Sequence, residues 1–221
     1  MVSPIKKLQT LFTAYANSDL AVGMSAYMKN KFPYLWVQTP NRKIVEKERL
    51  GSFVCQTREE VKDLSIELWN KSEREYQYVA ITLLQKYKKL WEVESIVHFE
   101  WLILHKSRRD SVDSIDTNLV GQYFLLFSQD MSKIALARAK SDNIRLQRTA
   151  LQFQLLYKER TDALLLEKVL KETADSEEFF VQKAMGRILR EYSKTNPKWI
   201  KAFIKSHELP KLTIREWSKY I

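Results

Sequence analysis

A spacing of 35 residues recurs along this chain and limits the folds that it can adopt more than any other feature. Three segments place Tyr ten residues after Gln, at Gln77 and Tyr87, Gln147 and Tyr157, and Gln182 and Tyr192. The segment expected between the first two falls at Val112 and Gln122, so one repeat breaks the pattern. A repeat of this length is typical of stacked helical pairs that bury their apolar faces against one another. We therefore predict an all-α protein, a curved solenoid in which residues 1–221 form a single domain with a concave face.

The composition agrees with a helical protein. Gly occurs 4 times and Pro 5 times in 221 residues, and hydrophobic residues make up 45% of the chain. Few helix breakers and a large apolar fraction favour helices and argue against long disordered segments. No apolar run approaches the roughly 18 residues that a membrane-spanning helix needs, and residues 1–7 contain no apolar signal core. We expect a cytoplasmic protein that does not enter a membrane.

The reactive side chains offer few sites for a metal or for thiol chemistry. Cys55 is the single cysteine, which excludes an intramolecular disulfide and a cysteine-based zinc site. His98, His105 and His207 lack the paired spacing of metal ligands, so we interpret them as structural or surface residues. We predict neither a metal nor a cofactor.

The charge of the chain indicates an anionic partner. The formal net charge is +10 at pH 7, which predicts attraction to a polyanion, with nucleic acid the first candidate and an anionic membrane the second. Within the broken repeat, Asp113 is in register with Arg148 and Lys183 of the next two repeats. A carboxylate and two basic side chains are thus expected on one face, which makes this repeat the first candidate for a functional site.

Helices are predicted around each repeat. Candidate N-caps, each followed by an acid within three residues, are Ser72, Ser107, Ser141 and Ser176. Partner helices are expected at 90–104, 129–140, 161–173 and 198–205, with a short last helix capped by Thr213. Earlier helices are expected at 5–14, 41–50 and 58–69. Gly23 and Ser25 weaken the segment 19–30, since glycine costs about 1 kcal/mol inside a helix, and we predict that this segment is irregular.

Four stretches of the sequence resemble a known family. They are Tyr27-Met28-Lys29-Asn30 with Gln38-Thr39-Pro40, Lys106-Ser107 with residues 110–114, residues 141–144 with Leu146-Gln147-Arg148, and residues 178–184. In this order and register they resemble the AlkD-type DNA glycosylases, which are HEAT-like repeat proteins of DNA alkylation repair. The resemblance runs over nearly the whole chain.

The resemblance implies a concave basic surface that holds duplex DNA and releases cationic N3- and N7-alkylated purines. An alkylated purine already carries positive charge, so its departure needs only a carboxylate that stabilises the sugar and places a water. Asp113 matches the catalytic aspartate of the family, and Arg148 matches the arginine that holds the DNA backbone near the lesion. Further DNA contacts are expected from Tyr27, Gln38, Thr39, Lys183 and Arg190.

This chain departs from the family beside the aspartate. The family has tryptophans at the positions of Arg108, Arg109, Arg145 and Arg187, and the second and fourth of these contact the lesion nucleotide. An aromatic face attracts a cationic base by roughly 0.5–2 kcal/mol. A guanidinium repels it, and the repulsion between two like unit charges 4 Å apart is about 4 kcal/mol in a partly shielded site. The same arginines would strengthen contact with phosphates.

We therefore expect a monomer in which alkylpurine excision is absent or strongly reduced while DNA binding remains. In that case Asp113 forms a structural ion pair with Arg109 or Arg148. A first alternative is an active monofunctional glycosylase that uses Asp113 while the arginines turn onto phosphates. A second is a scaffold of helical repeats that binds an acidic protein.

Overall fold

The structure, a computed structural model, describes residues 4–16, 22–23, 25–26, 30–35, 37–51 and 53–220, apart from the side chains of Arg49 and Tyr220. The Cα positions group the chain into two compact units, Met1–His98 and Phe99–Ile221. Every regular element among the described residues is helical, so the predicted all-α fold is confirmed. The single domain and the curvature remain predictions.

The helices follow one another with short connections. In the first unit, α1 spans Pro4–Tyr15, α2 Thr39–Leu50, α3 Arg58–Asn70 and α4 Arg74–Lys86, and a 3-10 turn follows at Lys88–Leu90. Helix α5, Ser95–Leu104, crosses the boundary between the units. The second unit continues with α6 (Arg109–Ile115), a π-helical turn (Asp116–Val120), α7 (Gly121–Leu126), α8 (Met131–Ala139), α9 (Ile144–Gln152) and α10 (Ala163–Thr173). Then come α11 (Phe179–Ser193), α12 (Pro197–Ser206) and α13 (Lys211–Trp217), with 3-10 turns at Lys158–Arg160 and Ser218–Tyr220.

The predicted helices are present within a few residues of their expected bounds, but the predicted caps are wrong. The Ser107 hydroxyl donates to the carbonyl of Ile103 in the preceding helix. The side chain that caps α9 belongs to Asn143, which lies two residues after Ser141. Thr213 lies inside α13 and donates to the Gln182 carbonyl at 3.0 Å. The N-cap positions expected at Ser72 and Ser176 are occupied by Glu73 and Glu178. A Ser or Thr hydroxyl between two helices can bond to the backbone of the preceding helix or of the following one. The local sequence does not show which of the two bonds forms.

The repeated Gln makes the same contact in all three segments. Its side-chain Nε2 donates to the carbonyl six residues earlier, at Lys71, Ser141 and Ser176, over 2.9, 2.8 and 2.9 Å. Two of the repeated tyrosines reach further back, since Tyr87 donates to the Phe53 carbonyl and Tyr157 to the Gly121 carbonyl. The repeated Gln side chains therefore hold the turns before their helices, and these two Tyr side chains bond to earlier segments of the chain.

The segment 19–30 is described at five positions only, 22, 23, 25, 26 and 30. The first four have helical backbone, and Asn30 forms a turn with φ of 53°. The prediction of an irregular segment is therefore wrong at these four positions. Apart from Asn30, the other residues of the segment, Tyr27 among them, lie outside the described ones. Across the described part of the chain, no helix is long and apolar enough to cross a membrane.

Candidate nucleic-acid interface

A cleft of about 370 Å³ opens in the second unit between residues of α6, α9, α11 and α13. Five basic side chains line it together with two carboxylates, and these are Arg109, Arg148, Lys183, Arg187, Arg190, Asp113 and Glu216. Gln152, Phe180 and Ala184 complete the lining. The register that predicted Asp113, Arg148 and Lys183 on one face is therefore confirmed. The excess of positive charge makes this cleft suited to an anion.

Two guanidinium groups hold the Asp113 carboxylate. The Arg148 Nη2 group donates to Oδ1, and the Arg187 Nη1 group donates to Oδ2 at 2.8 Å. The Asp113 side chain keeps 28% of its surface exposed, against 8% for Arg148 and 40% for Arg187. Arg148 was one of the two partners expected for this carboxylate, whereas its pairing with Arg187 was not expected. Each carboxylate oxygen thus already carries a charged hydrogen bond.

A buried layer beneath Asp113 was missed by sequence reasoning. Asp116 begins the π-helical turn and is fully buried, and its Oδ1 accepts from the Thr149 hydroxyl at 2.7 Å. Burial raises the pKa of Asp116 to about 7, although the Thr149 hydrogen bond and the charge of Arg148 act in the opposite direction. The signal for it was present, because Asp116 lies one helical turn after Asp113.

Gln152 connects this buried layer to the ion pairs. Its Nε2 donates to Asp113 Oδ1 at 3.2 Å and to Asp116 Oδ2 at 3.4 Å. Its Oε1 accepts from Arg187 Nη1 at 3.0 Å. Because the side chain is 1% exposed and donates and accepts at once, it holds Arg187 against Asp113.

The other wall of the cleft depends on a close approach of α11 and α13. A Cβ atom on Gly186 would lie 2.6 Å from the Cβ of Glu216 and 2.7 Å from the carbonyl oxygen of Thr213. Glycine therefore lets α13 bring Glu216 to the cleft, where its Oε1 is 3.8 Å from Lys183 Nζ. Arg190 Nη1 donates to the Glu216 carbonyl at 2.7 Å, which ties the two helices together.

The family model described as DNA alkylation repair enzyme matches residues 8–221. The chain belongs to the DNA alkylation repair family. A solved structure described as a predicted DNA alkylation repair enzyme from Enterococcus faecalis is 35% identical with a TM-score of 0.86, covering 93% of this chain and 96% of that one. This match is consistent with an α-solenoid. The resemblance of the sequence to proteins of DNA alkylation repair is confirmed.

A second solved structure shares the fold. The crystal structure of smu.31 from Streptococcus mutans UA159 is 15% identical with a TM-score of 0.66, and the match covers 99% of this chain and 100% of that one. No curated protein matches the chain.

The remaining residues that the family resemblance singled out lie in several places. Arg109 lines the cleft, whereas Arg108 and Arg145 are not among its lining residues. Gln38 and Thr39 are exposed in the first unit, at the start of α2, where the Gln38 carbonyl accepts from the N–H of Arg42. Their contacts with DNA remain predictions, as does the role of Tyr27, which lies outside the described residues. No group of three or more His, Cys, Asp or Glu side chains in the described ranges could hold a metal ion.

Proposed function

We propose that this member of the DNA alkylation repair family binds duplex DNA and has lost, or nearly lost, alkylpurine excision. The observation that carries the proposal is the pairing of both Asp113 oxygens with arginine. A carboxylate that assists departure of a cationic base must face the sugar with an unneutralised charge. Here Arg187 lies against it, and the carboxylate's charge is already balanced before any substrate arrives.

The charges around the cleft support DNA binding independently of excision. Five basic side chains against two carboxylates leave an excess of positive charge after the ion pairs are counted. Lysine and arginine bind phosphates by releasing counterions, whether or not a lesion is present. We assign backbone contacts to Arg148, Lys183 and Arg190, and further contacts to Gln38 and Thr39 of the first unit.

Single-turnover release of 7-methylguanine from methylated duplex DNA, with protein in excess, tests the loss of excision. We expect no release above the level of Asp113→Asn. Release that depends on Asp113 would establish an active glycosylase and overturn the proposal. The variant Arg187→Trp with Arg109→Trp restores the aromatic residues of the family and frees Asp113 of one arginine, so it should raise excision if these arginines are the block.

Affinity for an unmodified duplex, measured by fluorescence anisotropy over a range of salt, tests the binding half of the proposal. We expect the logarithm of the association constant to fall linearly with the logarithm of salt concentration. Lys183→Gln should lower the steepness of that line by about 0.9, which corresponds to one phosphate contact. Absence of any binding to DNA at low salt would leave the helical scaffold for an acidic protein as the better account.

A further inference from the structure

Two adjacent phenylalanines at the start of α11 are exposed. Phe179 keeps 51% of its surface accessible and Phe180 keeps 39%, whereas the chain's other eight phenylalanines are buried or half-buried. Their rings meet edge to face, with centroids 5.1 Å apart. Exposed neighbouring aromatic side chains are unusual on a protein surface and mark a place where a partner covers them.

The charges around the two rings indicate what that partner is. The Arg148 guanidinium lies 5.8 Å from the centroid of Phe180, and the Lys183 ammonium lies 5.5 Å from the centroid of Phe179. Phe180 itself lines the basic cleft. An apolar face with a cation beside it matches a nucleotide, because the nucleobase stacks on the ring while its phosphate meets the cation. A hydrophobic protein partner would gain nothing from these two charges.

We propose that Phe179 and Phe180 form a stacking site for an unpaired nucleobase next to the phosphate contacts of the cleft. In an intact duplex each base already stacks on its neighbours, so no base is available to stack on the two phenylalanine rings. A duplex with a single unpaired base offers one that can leave the stack at little cost. The preferred ligand is therefore DNA with a one-nucleotide bulge, and this proposal rests on the DNA binding proposed above.

The test compares two labelled duplexes that differ only in one unpaired adenine, at equal salt, with the full-length protein. We expect tighter binding of the bulged duplex. Phe179→Ala with Phe180→Ala should weaken binding of the bulged duplex on the order of tenfold, since stacking of one base is measured by such substitutions. The intact duplex should lose affinity by about twofold or less. Phe179→Leu with Phe180→Leu keeps apolar side chains without a ring face and should behave like the alanine variant.

Leu164→Ala provides a matched control, because Leu164 is a 74% exposed apolar residue of the same unit that does not line the cleft. Circular dichroism melts establish that all variants are folded. Equal affinity for both duplexes, unaffected by the phenylalanine variants, would overturn the stacking site and leave the proposed DNA binding intact. Equal loss for both duplexes would mean that the rings contact paired DNA, which also overturns it. No binding to either duplex by the wild-type protein would overturn both proposals together.

Discussion

The repeats that contain the repeated Gln and the repeat that lacks it differ in which side chain holds the turn before the helix. Gln147 and Gln182 each donate to a backbone carbonyl six residues earlier, so their polarity is used to hold a turn. In the broken repeat the corresponding residue is Val112, which is fully buried. Ser111 takes over the turn, since its hydroxyl donates to the Arg108 carbonyl and accepts from the Arg108 N–H, both at 3.0 Å.

The broken repeat also differs in the acidic residues that follow the turn. Asp113 faces the cleft, and Asp116 lies buried below it. The position 35 residues after Asp116 is Leu151, which is fully buried and apolar. The next repeat thus places a leucine side chain where the broken repeat places an ionisable group.

The largest expected effect concerns the pH dependence of stability that Asp116 introduces. Its pKa rises from 3.8 to about 7 on folding, so between these values the folded chain holds a proton that the unfolded chain has lost. Stability should therefore fall as pH rises through this window, by about 1.4 kcal/mol per pH unit. Asp116→Asn removes this contribution. Urea denaturation of both proteins from pH 4 to pH 8 measures the difference, and parallel pH curves would contradict the assignment.

The second prediction restores the repeat residue in the broken repeat. Val112→Gln places a longer, polar side chain where Val is 0% exposed, and the turn already has its bonds from Ser111. Overpacking and an unsatisfied amide should together lower the free energy of unfolding by about 3 kcal/mol. Val112→Leu serves as the control that adds bulk without polarity. If Val112→Gln were as stable as the wild type, the break in the pattern would have no structural cause.

A third prediction separates the charge of Asp113 from its chemistry. Asp113→Asn removes one negative charge from the cleft and releases Arg187, whose side chain is 40% exposed, for contact with a phosphate. Affinity for an intact duplex should rise by about 1 kcal/mol at low salt, with a salt dependence steeper by about 0.9. Anisotropy titrations at several salt concentrations measure both quantities. Weaker binding by the variant would mean that Asp113 positions the arginines for DNA instead of competing with it.

The sequence predicted the helices and the frame of the site, and it missed the contacts that depend on side-chain choice. The spacing of 35 residues predicted that Asp113, Arg148 and Lys183 lie together, because equivalent positions of a regular repeat lie on the same face. No local pattern distinguishes whether Arg187 turns toward a phosphate or toward Asp113, since both conformations suit a half-exposed arginine on a helix. Gln152 decides between them, and its part is visible only once α6, α9 and α11 are packed.

The smallest predicted effect compares two regular repeats with each other. Gln147 and Gln182 make equivalent bonds through Nε2, but the Oε1 atom of Gln147 is buried without a hydrogen-bond partner, and Oε1 of Gln182 is not among such atoms in the described residues. Substitution by alanine removes one hydrogen bond at either site, worth about 1 kcal/mol. At Gln147 it also removes a desolvated oxygen, which offsets part of the loss. Urea denaturation should therefore give a cost for Gln147→Ala that is about half that of Gln182→Ala, and the reverse order would show that the buried oxygen is satisfied in solution.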